Sequence, residues 1–389
     1  MRILFVAPWV PSRVRPRSLE LLRHLSSVHQ VYFVGLRSSD DRVEDIQHLP
    51  LAGAEIVGFS KFRGATRAFF ALLFSGESLQ AAYVSSRRLR EAAREVVADF
   101  KPDLIYKNVV RSARMIDEST LPVIFDLDEI RSDYYLNLMS ESTSLFWRLV
   151  GRIESSRMQK LESDVLSTSD IVLFSSPIDV ERVQRRATLV RSLPDRGFLS
   201  WPKWFGSPDG LKLLFVGRMS FRANRESLVW FVKSVYAPLR RDGLRVTLRI
   251  VGEGADSFKP SYSDGISNAG YVSSLEGEYA TADVCIVPVF LGTGVQMKLI
   301  QALAAGLPTI TTSTAAMRAG VTGGQHVYVA DSADEWQAAV REAVLDRRGA
   351  SVLAKRGQAW ARAHYSASGI LGSLDSAIAP FEPTASRDC

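Results

Sequence analysis

Two cysteines in a chain of 389 residues exclude a disulfide framework and a thiolate zinc site, and they point to a reducing cytoplasm. One of them, Cys285, lies inside the apolar run 284–287, where a small core residue is expected. Histidine is scarce too. None of the five has metal-ligand spacing, and Ser175-Ser176 lacks the G-x-S-x-G setting of a nucleophilic serine. No stretch approaches the roughly 18 uncharged apolar residues that cross a bilayer. The opening MRILFVAPWVP is a poor secretory signal, because its apolar run is short and arginines follow it instead of preceding it. Charge of one sign never accumulates. The net excess of +6 is spread over both halves, so the basic arm of a nucleic-acid binder is missing.

What the chain has is apolar content of 46%, charged content of 23% and a length that calls for two domains. Short apolar runs alternate with helical periodicity. In the first half strands are expected at 3–7, 31–36, 103–106, 122–126 and 171–175, with a long helix over 144–166. The segment 194–210 holds three prolines and three glycines and reads as a linker. Beyond it strands are expected at 212–216, 246–251, 268–272, 284–287, 309–312 and 327–329, and helices at 226–239, 277–281 and 333–345. The fold class is α/β, with two doubly wound Rossmann-like domains facing across a cleft. The domains are assigned to 1–200 and 201–365, with a tail over 366–389 returning to the first.

Ligands of such sheets bind beyond the carboxyl ends of the strands. There the second half carries its informative residues. PVFLGTGVQMKLIQALAAGLPTITTS, residues 288–313, reads as a strand end, a loop Gly292-Thr293-Gly294, and a helix bearing Lys298 and Gln301 on one face. Bare amides before a helix, with an ammonium in its first turn, make a cradle for a phosphorylated ligand. An ordinary β-loop-α turn is the plainer alternative for a lone G-x-G. Arg218, Arg222 and Asn224 follow the strand 212–216, and Gly252-Glu253-Gly254 follows 246–251.

With these loops in order and at this spacing, residues 210–345 resemble the GT-B glycosyltransferases, specifically the retaining family 4 group. The residues that carry it are Val216-Gly217-Arg218-Met219 with Asn224, Val251-Gly252-Glu253-Gly254, Gly270-Tyr271-Val272, Ala282-Asp283-Val284 and the stretch 288–310. The first half is only broadly similar. The resemblance implies a donor site in which Arg218 and Lys298, with Arg222 as a weaker candidate, meet a diphosphate. Asn224, Gly252, Gly254, Gly292 and Gln301 would belong to that site, the amides of Thr293, Gly294 and Val295 would complete it, and backbone at Val272 would meet the base. It implies a UDP- or GDP-linked sugar as donor, a hydroxyl acceptor such as a lipid-linked glycan, and no metal or other cofactor.

There are departures. The family's usual helix Glu is Gln301 here, and Thr293 stands where another Glu is common. No His ends the strand 122–126, so an acid–base role falls to Asp126 or Asp128. As a D-x-D triplet those two acids suggest a metal, but strand-end acids capping the next helix are the favoured reading. Arg13, Arg15 and Arg17 sit in the first loop and are candidates for the acceptor side, as readily as for a solvated loop. The basic, apolar stretch 61–74 is read as a buried helix with snorkelling arginines, and a place on an anionic membrane is its rival. Phe146 and Trp147 invite the same pair of readings. The expected function is retaining hexosyl transfer in bacterial polysaccharide or glycolipid assembly, in the cytoplasm or on the inner face of the plasma membrane. A sugar-nucleotide epimerase and a weakly active pseudo-glycosyltransferase are the alternatives.

Overall fold

The computed structural model describes residues 1–194, apart from 14, 39–40, 42, 117–119, 143 and 185, and residues 211–382, apart from 291. The chain divides into two compact units, Met1–Leu193 with Ala367–Cys389, and Pro194–Ser366. The segment read as a linker lies outside the described residues from 195 onward.

Unit 1 is built on seven parallel strands. They are β1 (Arg2–Ala7), β2 (Gln30–Arg37), β3 (Gly53–Gly58), β4 (Leu104–Asn108), β5 (Val123–Asp128), β6 (Ile171–Phe174) and β7 (Ala187–Leu189). Their order is β3-β2-β1-β4-β5-β6-β7. The apolar runs became central strands because helices cover both faces, and Ile3 to Val6 are wholly buried. Sequence reading missed β3 and β7, the two edges, where a half-covered strand needs no continuous apolar run. The long helix Leu145–Thr168 crosses the helix Arg131–Glu141 at Gly151, where an added Cβ would stand 2.6 Å from the Tyr135 carbonyl oxygen. The helix Ala367–Ile378 belongs to this unit, and His24 Nε2 lies 2.6 Å from Asp375 Oδ1.

Unit 2 carries six parallel strands: β8 (Leu211–Val216), β9 (Val246–Val251), β10 (Ile266–Ala269), β11 (Val284–Val287), β12 (Thr309–Thr311) and β13 (Tyr328–Val329). Their order is β10-β9-β8-β11-β12-β13. Phe231, Tyr236 and Trp336 fill one face of its core, and Cys285 is buried in β11. The strand expected at 268–272 ends earlier, at Ala269. The helix expected from 226 begins at Arg222, so Arg222 and Asn224 stand in its first turn instead of ahead of it. In each sheet the strand order reverses beside the first strand, between β1 and β4 and between β8 and β11. At such a reversal the connecting loops splay apart and leave room for a ligand.

Candidate functional site

In unit 2 the loops after β8, β9 and β11 meet at that reversal. The loops after β8 and β9 touch through backbone. Gly252 has φ 137°, and an added Cβ would lie 2.3 Å from the Gly217 carbonyl oxygen, so only glycine fits. The Met219 amide donates to the Glu253 carbonyl at 2.9 Å, and Gly254 turns the chain with φ 78°. This contact sets Arg218 beside Glu253, with Nε 3.3 Å from the carboxylate.

The loop after β11 delivers the second cation. Gly292 is packed against Val289 and Gln296, and the Gln296 side chain donates to the Gly294 carbonyl at 3.2 Å. Thr293 is buried, while Gly294 and Val295 are half-buried. The helix Met297–Ala304 then starts without a side-chain cap, which leaves first-turn amides for a ligand. Lys298 Nζ donates to Asn224 Oδ1 at 2.6 Å, and Asn224 Nδ2 donates to the Arg218 carbonyl at 2.9 Å. The ammonium also stands 4.8 Å from the centre of the Phe215 ring. Burial pushes its pKa down to about 8. Gln301 Oε1 accepts from the Tyr279 hydroxyl at 3.4 Å.

Arg218, Asn224 and Lys298 therefore form one connected group, with Gly252 and Gly254 shaping its wall. Arg222 is held by Glu226 on its own helix at 2.6 Å, which makes it the least available of the three cations. Val272 lies beyond β10 and is half-buried, and its neighbour Tyr271 is 80% exposed. Sequence reading did not single out Glu253, Tyr279 or Phe215 as partners of these cations. Each follows from which elements face one another and from no motif.

In unit 1 the expected acid is corrected. Asp126 is wholly buried, and both its oxygens are engaged. Arg17 Nη2 donates to Oδ1 at 2.6 Å, Arg17 Nε lies 3.1 Å from Oδ2, and Asn108 Nδ2 donates to Oδ2 at 2.9 Å. Arg17 is not in the first loop either. It stands in the helix Pro16–Val28, buried on this carboxylate. A desolvated carboxylate needs such a partner, which is why the two residues close on each other. Asp128 is the accessible member of the pair, with a side chain 35% exposed and φ 67°. Burial and the neighbouring Asp126 charge push its pKa up to about 6, against the pull of Arg17.

Arg13 and Arg15 do lie in the loop after β1, near Asp45 and Asp41 respectively. Two further arginines, missed in the sequence, stand after β4 and β5. Arg111 Nε donates to Gln80 Oε1 at 2.8 Å, and the Gln80 amide reaches the Tyr135 hydroxyl. Arg131 pairs with Glu129 at 2.5 Å and lies over the Tyr134 ring. Burial lowers the Arg111 pKa, and the nearby Arg131 and Arg15 charges add to that.

Residues 210–346 match the family described as glycosyl transferases group 1. A protein of Klebsiella pneumoniae, described as an uncharacterized 44.6 kDa protein in the cps region, is 22% identical over 255 residues. That match spans 62% of this chain and 65% of the relative, just under two thirds of its length. Among solved structures, sucrose-phosphate synthase from Thermosynechococcus elongatus superposes with a TM-score of 0.69 at 15% identity, over 98% of both chains. Anabaena HepE in complex with UDP-glucose gives 0.64 at 12% identity, over 98% of this chain and 100% of that one.

Proposed function

We propose that this chain, which has the GT-B glycosyltransferase fold and carries the group 1 pattern in its second unit, moves a hexose-type sugar from a nucleoside diphosphate to a hydroxyl acceptor. The observation that carries the reading is the Lys298–Asn224–Arg218 group at the reversal of the second sheet. Cleaving a glycosyl phosphate bond places growing negative charge on the departing diphosphate. Fixed cations and bare amides hold that charge more strongly in the transition state than in the substrate, which lowers the barrier.

In this reading Arg218 and Lys298 bind the phosphates, and the amides of Thr293 to Val295 complete the cradle. Backbone at Val272 meets the base, and Gln301 accepts from a ribose hydroxyl. The diphosphate charge is met by side chains, so the step calls for no metal. HepE was solved with UDP-glucose, which supports a nucleotide sugar as donor. Retention of configuration rests on the resemblance of the motifs. The acceptor belongs to unit 1, near Arg15, Arg111 and Arg131, with Asp128 in place of Asp126 as the proton-transferring acid. Bacterial surface polysaccharide or glycolipid assembly, at the inner face of the plasma membrane, is the setting that fits, and the cps-region relative supports it.

The test is turnover. Release of UDP or GDP that depends on an added hydroxyl acceptor supports the transferase. Sugar isomerisation without acceptor would make the chain an epimerase instead. Lys298→Ala should lower the rate by roughly tenfold to a thousandfold, and a wild-type rate in that variant ends the role given to Lys298.

A further inference from the structure

Among the described residues seventeen large apolar side chains are exposed, and nine of them fall in two short stretches of unit 1. The first is 62–74, with Phe62 at 78%, Phe70 at 60% and Phe74 at 77% exposed. The second is 145–149, with Leu145 at 79% and Phe146 at 64%. The reading of 61–74 as a buried helix is thus overturned. The helix Lys61–Phe70 has one buried residue, Gly64, where an added Cβ would stand 2.7 Å from the Phe59 ring. At 3.6 residues per turn Phe62 and Phe69 share a line, Phe70 flanks them, and Gly64 is opposite. The helix is amphipathic, but its aromatic face is turned outward. Phe70 and Phe74 stack on one another at 6.1 Å.

The long helix Leu145–Thr168 ties the two stretches together. Its Arg157 donates to the carbonyls of Ala71, Leu72 and Glu77. Its Glu154 accepts from Ser78, Leu79 and Gln80. The turn 145–149 begins that same helix, about 16 Å along its axis from Arg157. The charges are of one sign. Residues 61–74 hold Lys61, Arg63 and Arg67 with no carboxylate, and 144–152 hold Arg148 and Arg152 with none.

We propose that these stretches form a docking surface for a bilayer that contains anionic phospholipid, with the rings entering the headgroup boundary and the cations meeting lipid phosphates. Exposed aromatic and aliphatic side chains bordered by Lys and Arg are what an interfacial helix needs, because apolar burial and attraction to anionic lipid then act together. Arg67 is turned in onto the Tyr83 carbonyl, but a second copy seated on the same face would still set the exposed Lys61, Arg63, Arg148 and Arg152 against their own counterparts. That repulsion argues for lipid over self-association. The surface lies in unit 1, so it stands or falls independently of the diphosphate site in unit 2.

Flotation of the full chain with vesicles tests this. Binding to phosphatidylcholine vesicles containing phosphatidylglycerol should exceed binding to phosphatidylcholine alone by at least about tenfold, and should weaken as salt rises. The variant Phe69→Ser/Phe70→Ser/Phe74→Ser should lose at least about tenfold in partition, and Arg63→Glu/Arg148→Glu should lose the preference for anionic vesicles. Far-UV circular dichroism should match wild type in both, since the changed side chains are exposed. Wild-type chain that stays in solution with both vesicles, or variants that float like wild type, would overturn the proposal. So would a dimer in ultracentrifugation that the aromatic variant dissolves. Stabilisation by UDP or GDP, measured on the same samples, reports the other site. A chain that floats without responding to UDP or to GDP keeps this surface and loses the transferase reading.

Discussion

Lys298 and Asn224 are joined by a 2.6 Å hydrogen bond across 74 residues of sequence. Through it the ammonium that opens the helix Met297–Ala304 is fixed to the loop that bears Arg218, since Asn224 also holds the Arg218 carbonyl. The ammonium and the backbone that carries Arg218 are thereby fixed to one another, while the Arg218 side chain lies beside Glu253. Keeping that ammonium away from water costs stability.

That cost has a pH signature. Burial brings the Lys298 pKa from its usual 10.5 to about 8. Below pH 8 the folded protein carries a desolvated cation and its full penalty. Between pH 8 and 10.5 the unfolded chain still holds the proton while the folded one has released it, so stability climbs with pH. Lys298→Met should therefore raise Tm at pH 7 by about 2–4 °C, the shift that roughly 1 kcal/mol produces in a domain of this size. The gain should vanish above about pH 10.5. Wild-type affinity for UDP should fall as pH passes 8, while the variant binds weakly at every pH. A variant less stable than wild type at pH 7 would show the ammonium to be structural.

Much of this was legible in the chain. The three glycine-bearing loops, the inner strands of the first sheet and the strands of the second could be read because each rests on local chemistry: apolar runs for buried strands, glycine where backbones touch, bases at strand ends. What could not be read depends on long-range pairing. Arg17 meets Asp126 across 109 residues, and nothing local in either segment says so. Nor does hydrophobic periodicity give the sense of a face. The aromatic side of Lys61–Phe70 has the same spacing whether it turns inward or outward, and only the close packing at Gly64 decides.

The two acids of Asp126-Leu127-Asp128 should separate experimentally. Asp126→Asn takes from the buried Arg17 guanidinium its nearest carboxylate and leaves it only Asp128, at 3.4 Å, and breaking a buried pair costs about 3–5 kcal/mol. Asp128→Asn should do the reverse. The Asp128 pKa is raised to about 6 in the folded chain, so this group's contribution is intact at low pH and is lost as pH rises through 6. Removing its charge should leave stability at pH 7 unchanged or higher. If Asp128 transfers the proton, the same variant loses roughly 10²–10⁴ in kcat and the limb of the pH–rate profile near pH 6. Denaturant midpoints and a pH–rate profile on both variants decide between them. Loss of stability in Asp128→Asn with kcat intact would give it a structural role.

In the proposed donor site, Gln301 is the residue placed to take a ribose hydroxyl. Its Oε1 already accepts from the Tyr279 hydroxyl at 3.4 Å, so the side chain is oriented along the helix face that carries Lys298. A neutral amide offers one acceptor oxygen, and a carboxylate offers two with full charge. Hydrogen bonds to charged acceptors contribute about 1.5–3 kcal/mol, against about 0.5–1.5 for neutral ones. Gln301→Glu should then tighten UDP or GDP binding by roughly threefold to tenfold, with Tyr279 still donating to the new carboxylate. If residue 301 meets the ribose, the gain should be absent for a diphosphate without ribose. Calorimetric titration with UDP and with pyrophosphate checks it. Equal gains for both ligands would place residue 301 at the phosphates, and no gain for either would remove it from the donor site.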